Sequence, residues 1–404
     1  MDSMIQSKRM AARAGSMLQS LTTDITDKKR EFEAIDYWKR YTKHSLKDLP
    51  NLSRAQADNA IHDMEIAGYV FPKIPSGSTE KYNLTIRDVS NLYEHRGVAK
   101  YRDSHRGGFV VFVTNLKGGV SKTVSIANLA HGLRAHDNLL KEDIRVLVVD
   151  LDPQASATMF NDETLAIGQI DNSSAQAILQ NVSLAELKSN FIKQTGMDGV
   201  DILPASIEDA FIASDWLEIC AENWPNKNPY ELLQQNLIDK LRDDYDFILL
   251  DTGPHLDALL LNSLACADLL MTPVPPAQVD FHSTLKYLER LPVLLEQLFE
   301  SGVEPRYLAN IGYMTKISKN KSDHKEAQRW AKKVFGADFL DVSLPKLDGF
   351  ERVGESFNTA ISANPKFYDG STAALKSARE AAFDFAYSAF EQIETLRQMN
   401  SEEE

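Results

Sequence analysis

Cysteine is nearly missing from this chain. Cys220 and Cys266 are the two in 404 residues, far apart and without paired spacing, so neither a disulfide framework nor a zinc or iron–sulfur site is suggested. Long apolar runs are missing as well. The stretch from Met1 to Asp48 is rich in Lys, Arg and Asp, so neither a secretory leader nor a bilayer span is expected, and a soluble, cytoplasmic chain is. Proline does not occur between Ser3 and Leu49, which leaves helix uninterrupted there. Cations are in deficit overall, with 44 Lys+Arg against 58 Asp+Glu and a net charge of −14, which taken alone argues against nucleic acid. The deficit is uneven, however. Residues 1–106 hold 18 Lys+Arg and 14 Asp+Glu, leaving 26 and 44 for residues 107–404. A mildly basic front part on an acidic body permits DNA contact. At this length, with 43% apolar residues, more than one core of ~150 residues is expected.

What is present is a glycine turn between an apolar run and a helical pattern. Phe109-Val110-Val111-Phe112-Val113 leads into Asn115-Leu116-Lys117-Gly118-Gly119-Val120-Ser121-Lys122-Thr123, and helix is predicted from about Val124. A strand feeding such a turn aims backbone N–H groups at one spot, where the helix dipole also favours negative charge. The spacing GxxxxGK[ST] fails, because Leu116 and Ser121 stand where its glycines belong; the variant KGGxxK[ST] fits. Residues 117–124 are therefore the nucleotide-binding candidates: Lys117, Gly118, Gly119, Val120, Ser121, Lys122, Thr123 and Val124. Lys122 supplies a cation for terminal phosphates and Thr123 a hydroxyl for Mg²⁺. Lys117 lies too far back to share the task of Lys122 on the same phosphates. Ser121 adds a Cβ at a tight turn.

Two further apolar strands end in carboxylates. Val146 to Leu151 runs into Asp150 and Asp152, and Phe247 to Leu250 into Asp251, the form of parallel strands buried on both faces. Asp251 falls where an Mg²⁺ ligand acting through water belongs, while Asp150 supports either the metal shell or the loop. Strands near 109–114, 145–151, 200–203, 247–251, 269–273, 307–313 and 339–343 alternate with helical patterns. They predict an α/β fold: a doubly wound, mostly parallel sheet. A helical, alanine-rich tail follows from Ser371.

The front part reads differently. Met10, Met17, Leu18, Leu21, Ile25, Phe32, Ile35, Trp38 and Tyr41 recur at roughly helical intervals, predicting one long or two consecutive helices whose stripe packs on its own domain or on a second subunit. Pro50 ends the helix. Ser53 and Gln56 form a capping box for a helix over 54–67, stopped by Gly68. Tyr69-Val70-Phe71 and Lys81-Tyr82-Asn83-Leu84 read as two strands across the turn at 75–78, and Thr85 caps a further helix to His95 or Arg96. This is the pattern of a winged helix-turn-helix. Arg54, Asn59 and His62 would face the major groove, and Lys73, Ser76, Ser78 and Lys81 would reach phosphates; a small protein-binding module with a solvated helix face is the other reading. The chain thus divides into a helical arm (1–48), a winged helix-turn-helix (49–106) and a nucleotide-binding domain (107–404).

On the stretches NLKGGVSKT and LVVDLDPQASAT, the chain resembles the deviant Walker A ATPases, and the ParA partition proteins in particular, from about residue 107 onward. LMTPVPP (270–276) and LPKLDGFER (344–352) are similar to that family's later strand and to its loop before the C-terminal helices. The long plasmid and prophage type also carries its own DNA-binding domain. The resemblance implies several things: ATP hydrolysis to ADP with Mg²⁺, Lys122, Asp152 and Lys117 as catalytic residues, and metal contacts by Thr123, Asp251 and Asp150. Asp152 would orient water, and Lys117 would reach the partner's nucleotide in a face-to-face homodimer. Lys346 and Arg352 would meet nucleoid DNA irrespective of sequence, unless they only form salt bridges with Asp348 or Glu351. Adenine is expected near residues 310–315 and 273–276. A ParB-type centromere-binding partner and an operator bound by the N-terminal domain complete the implied system. A nucleotide-gated transcription regulator without cargo is the alternative. A MinD-like membrane role is disfavoured by the acidic Ser401-Glu402-Glu403-Glu404 end.

Overall fold

The computed structural model of the chain describes residues 2–31, 37–162, 165, 170–318 and 320–403. Helix α1, Asp2–Glu31, opens the chain. Of the expected helical stretch, residues 2–31 are helix. Phe32 and Ile35 lie outside the described residues, residues 37–40 are irregular, and Ser45–Asp48 is a short 3-10 helix. Trp38 and Tyr41 recur at helical spacing for a tertiary reason instead. Tyr41 is buried and bridges Leu84, while the Trp38 indole N–H donates to the Ile361 carbonyl at 2.8 Å, far along the chain.

Helix α2, Arg54–Ile66, begins at Ser53, whose hydroxyl accepts from the Gln56 N–H while the Gln56 side chain accepts from the Ser53 N–H. That reciprocal pair satisfies two otherwise orphaned donors. Strands β1, Lys73–Ser76, and β2, Thr79–Tyr82, pair antiparallel with Ser76 opposite Thr79. They lie closer to the turn than expected, because Gly77 at φ +64° places the reversal at 77–78. Tyr69 and Phe71 are not strand residues but ring contacts of the small core, 4.6 Å apart. Helix α3, Ile86–His95, is capped by Thr85 and Asp88.

The second domain is built on strands β3 (Phe109–Val113), β4 (Val146–Asp150), β5 (Lys193–Gln194), β6 (Val200–Leu203), β7 (Phe247–Asp251), β8 (Leu269–Val274), β9 (Asn310–Ile317) and β10 (Leu344–Pro345). Their order is β10-β9-β8-β3-β7-β4-β6-β5, with β5 alone antiparallel to its neighbour. Every residue of β3, β4, β7 and β8 is buried, as the continuous apolar runs require of strands covered on both faces. The strand expected over 339–343 is replaced by one bridge, Phe339 to Gly312, and β10 follows it; a 3-10 turn at Gly336–Asp338 uses up the intervening chain.

Helix α4, Lys122–Ala135, and helix α8, Thr372–Glu403, cover one face. Helix α5, Gln278–Glu300, and the helix Ala258–Cys266 cover the other. Helix α6, Ser322–Phe335, and helix α7, Asp348–Glu355, flank the β9–β10 edge. Both cysteines are buried on helices.

The two domains meet beside the C-terminal end of α4. Arg134, 2% exposed, donates to the Asp198 carbonyl at 2.7 Å and pairs with Asp143 at 3.0 Å and with the Asp198 carboxylate at 3.1 Å. Arg87 of α3 pairs with the same Asp198, and Lys39 with Asp137 at 2.6 Å. A cavity of about 690 Å³ opens at this junction, bordered by Arg40, Arg87, Arg134 and Asp198. It lies at the far end of α4 from the glycine turn.

Candidate nucleotide site

The parallel strands β3, β4 and β7 end side by side, with Val113 opposite Asp251 and Asp150 opposite Asp251. The sheet therefore delivers the glycine turn and both acidic strand ends to one place, outside the carboxyl edge where open α/β sheets bind ligands. A cavity of about 530 Å³ lies there, lined by residues 118–124 with Asp152, Phe160, Lys316, Leu347 and Phe350.

Lys122 is buried and its ammonium donates to the Asn115 carbonyl at 2.9 Å. Burial pulls its pKa down, and the Asp251 and Asp152 carboxylates oppose that by attraction. Asn115 in turn holds the turn in place: its amide donates to the Pro273 carbonyl at 3.0 Å and its oxygen accepts from the Lys117 N–H at 2.9 Å. Gly119 takes φ +73° and Ser121 φ +75°. Left-handed backbone suits glycine and strains serine, so the departure at Ser121 is a real cost in the loop.

Lys117 does not enter this cavity. Its ammonium lies 3.4 Å from Asp280 at the start of α5, both side chains about a third exposed. The two lysines of the motif thus have separate destinations, one buried under the phosphate loop and one on the outer rim.

The carboxylates divide in the same way. Both Asp251 oxygens are buried without a hydrogen-bond partner, as is the Thr252 hydroxyl. Burial raises the Asp251 pKa; the Thr123 hydroxyl and Lys122 ammonium beside it pull the other way. Asp150 is also raised by burial, then by Asp251. Its oxygens are already used: one accepts from the Asp152 N–H at 3.1 Å, the other from the Thr158 N–H and hydroxyl, each at 2.8 Å. Asp150, expected in the metal shell or in support of the loop, thus ties the end of β4 to the loop and helix that follow it. Asp152 is half-buried at the cavity wall and accepts from the Gln154 N–H at 3.0 Å. Gly253 brings the end of β7 against it, since a Cβ there would lie 3.3 Å from an Asp152 oxygen.

Hard oxygen donors with unmet valence beside a buried lysine and a row of loop N–H groups fit a Mg²⁺–nucleotide. Lys316 is a feature that sequence reasoning missed. It ends β9 at φ +53° and donates to the Gly119 carbonyl at 2.6 Å, while the Thr315 hydroxyl donates to the Val120 carbonyl at 3.1 Å. Nothing in the local sequence marks these residues, because their role depends on β9 lying beside the turn in space. Residues 310–315, expected near adenine, do not themselves line the cavity; Lys316, next along β9, does. The 273–276 segment does not line the cavity; Phe160, Leu347 and Phe350 do.

The N-terminal candidates Arg54, Asn59 and His62 are all exposed on α2, as is Lys81 on β2. Arg54 lies 3.9 Å from Asp58. Lys73 is occupied by Glu65 at 2.8 Å and by the Tyr82 ring. Lys346 pairs with Glu351 at 3.6 Å, and Arg352, on helix α7 rather than in a loop, donates to the Asp369 carbonyl at 3.1 Å. No helix among the described residues is long and apolar enough to cross a membrane.

Comparison with known proteins agrees with this arrangement. Residues 14–105 match the family described as ParA helix turn helix domain, and residues 108–297 match the AAA domain family. Plasmid partition protein A of Escherichia coli is 55% identical over 392 residues, covering 97% of this chain and 98% of that one. Protein SopA of Escherichia coli strain K12 is 28% identical over 246 residues, 60% of this chain and 58% of that one. A solved structure described as a partition protein superposes with a TM-score of 0.78 at 44% identity, over 97% of this chain and 98% of that one. A cobyrinic acid a,c-diamide synthase from Mycobacterium smegmatis with bound ADP and magnesium shares the fold, with a TM-score of 0.51 at 20% identity over 71% of this chain and 96% of that one.

Proposed function

The chain belongs to the ParA family of plasmid partition proteins, with a helix-turn-helix domain and a P-loop domain, and we propose that it moves plasmid or prophage DNA by ATP-dependent cycling on the nucleoid. ATP with Mg²⁺ closes two copies face to face on DNA. A ParB-type centromere-binding partner then stimulates hydrolysis. In its other nucleotide states the protein represses its own operon through Arg54, Asn59, His62 and the hairpin lysines Lys73 and Lys81.

The observation that carries this reading is the separation of the two lysines. Lys122 and the N–H groups of residues 119–123 hold the β- and γ-phosphates of the chain's own nucleotide. Asp251 and Thr123 are the groups that would hold Mg²⁺, which would supply neutralisation of phosphate charge. Asp152, at the wall of the same cavity, orients the attacking water. Lys117, facing outward, is free to offset charge on the partner's γ-phosphate once it leaves Asp280. A sensor that only binds nucleotide needs no such outward cation. The ADP and magnesium held by the Mycobacterium smegmatis synthase support the same choice of ligand. The α1 arm pairs with that of a second copy.

Turnover measured with and without nonspecific DNA and the ParB-type partner tests the reading. Lys122→Ala should abolish ATP binding, whereas Lys117→Ala should keep binding and lose stimulated turnover. Equal stimulated turnover in Lys117→Ala and the parent removes the role given to that lysine. Absence of stimulation in the parent leaves a nucleotide-gated regulator without cargo.

A further inference from the structure

The nucleotide-binding domain is acidic, yet its cations are not spread evenly. Residues 316–333 hold seven of the 26 Lys+Arg found after residue 106 and two of the 44 Asp+Glu. Most of these cations sit on or at the start of α6. At about 100° per residue, Lys321, Lys332, Lys325, Arg329 and Lys333 fall within an arc of about 120°, and Asp323 and Glu326 fall outside it. All five are exposed. Lys332 is paired with Asp341. Lys325, Arg329 and Lys333 have no side-chain hydrogen bond or ion pair among the described residues. The opposite face of the helix is already used, since His324, Ala327 and Ala331 are buried against β9.

We propose that this face of α6 is the surface that docks on the phosphate backbone of duplex DNA irrespective of sequence. The inference deepens the reading of nucleoid binding given above and rests on it. From Lys321 to Lys333 the helix runs about 18 Å, the rise of about five phosphates along one strand. A row of cations of which Lys332 alone is ion-paired among the described residues, with no acidic residue of the helix between them, is what a uniform polyanion selects, because each contact releases counterions and none requires a particular base. A bilayer would need a continuous apolar face next to the basic one; on α6 the exposed apolar residues are Trp330 and Val334, set off from the cations by Glu326, while Ala327 and Ala331 are packed against β9. An acidic protein partner would need an apolar anchor point within the arc, and every residue there is polar. Lys346 and Arg352, by contrast, are engaged with Glu351 and the Asp369 carbonyl. The sheet also connects the surface to the nucleotide: β9, which leads into α6, ends in the Lys316 contact with the Gly119 carbonyl.

The test uses the full chain with ATP and Mg²⁺ and a fluorescein-labelled random-sequence duplex, read by anisotropy over a series of salt concentrations. The variant is Lys325→Gln/Arg329→Gln/Lys333→Gln, with binding of a fluorescent ATP analogue confirming that its fold is intact. The slope of log affinity against log salt should become shallower by about 2–3, since each lost phosphate contact removes about 0.9, and binding should weaken alike on all sequences. Lys325→Gln alone should remove about 0.9 and serves if the triple variant fails to bind nucleotide. An unchanged slope in a nucleotide-competent variant overturns the assignment and leaves the contact to the N-terminal domain or to Lys346 and Arg352, with nucleoid binding itself intact. A parent that binds no random duplex in ATP overturns nucleoid binding and this surface with it.

Discussion

Ser121 immediately precedes the helix that Lys122 begins and His131 lies on it, and each bears a constraint that its residue type only partly announces. The sequence marks Ser121 as a departure from glycine; the structure supplies the reason it matters, a left-handed backbone at φ +75°. His131 gave no sequence signal. It is 3% exposed, its Nδ1 lies 2.8 Å from the Thr359 hydroxyl, and burial pulls its pKa down to about 4. The unfolded chain, with an ordinary imidazole pKa near ~6.5, therefore binds more protons than the folded one between about pH 4 and 6.5. Stability rises with pH through that window and is lost as pH falls through it, by up to about 3 kcal/mol at 1.36 kcal/mol per unit. His131→Gln keeps a partner for Thr359 and cannot titrate. Its urea midpoint should fall less than the parent's between pH 7.5 and pH 5, and equal falls would show that the acid sensitivity arises elsewhere.

At the scale of elements, legibility followed the source of the order. Strands β3, β4 and β7 were readable because burial on both faces forces unbroken apolar runs, and α2 and α3 because their caps are written in the residues Ser53, Gln56, Thr85 and Asp88. The strand expected over 339–343 and the helix expected to continue to Tyr41 were not. Phe339 and Tyr41 are apolar for contacts made across the chain, to Gly312 and Leu84, and such contacts mimic local periodicity without causing it. The site divided likewise: residues 117–123, Asp152 and Asp251 are contiguous motifs, whereas Lys316 and Asp280 reach the site only through sheet order. Gly132 belongs with the unreadable group. On α4 a Cβ there would fall 2.2 Å from the Ala386 Cβ of α8 and 3.5 Å from Ile361 Cδ1, so the two helices touch backbone to methyl. Gly132→Ala should destabilise, because overpacking costs about 1–3 kcal/mol against about 1 kcal/mol gained in helix propensity. Adding Ala386→Gly should restore most of the loss in a double-mutant cycle read by urea midpoints. A single variant as stable as the parent would mean that α8 shifts freely on α4.

For the whole molecule, the open question is what covers the arm. Helix α1 is 30 residues long, about 45 Å, and Met4, Ile5, Met10, Met17 and Leu21 are exposed along it. Met10, Ala14, Met17 and Leu21 follow one another by four, three and four residues, the spacing of a seam between paired helices. Most helical stability in proteins comes from packing of such a face, and Gly15, with nothing within 4 Å of a Cβ placed on it, weakens the isolated helix by about 1 kcal/mol. A second copy of the chain meets the requirement, since the same seam presented twice is self-complementary. The proposed function then calls for two dimer contacts: the arm, independent of nucleotide, and the phosphate loops with Lys117, which need ATP. Removing residues 2–31 separates them. Without nucleotide, light scattering should give the full chain the mass of two copies and the shortened chain the mass of one. Adding ATP and Mg²⁺ should return the shortened chain to two copies, provided Lys122 is intact. A shortened chain that stays dimeric without nucleotide would move the constitutive contact off the arm. One that stays monomeric with ATP would show that the loops cannot pair two copies unless the arm has first brought them together.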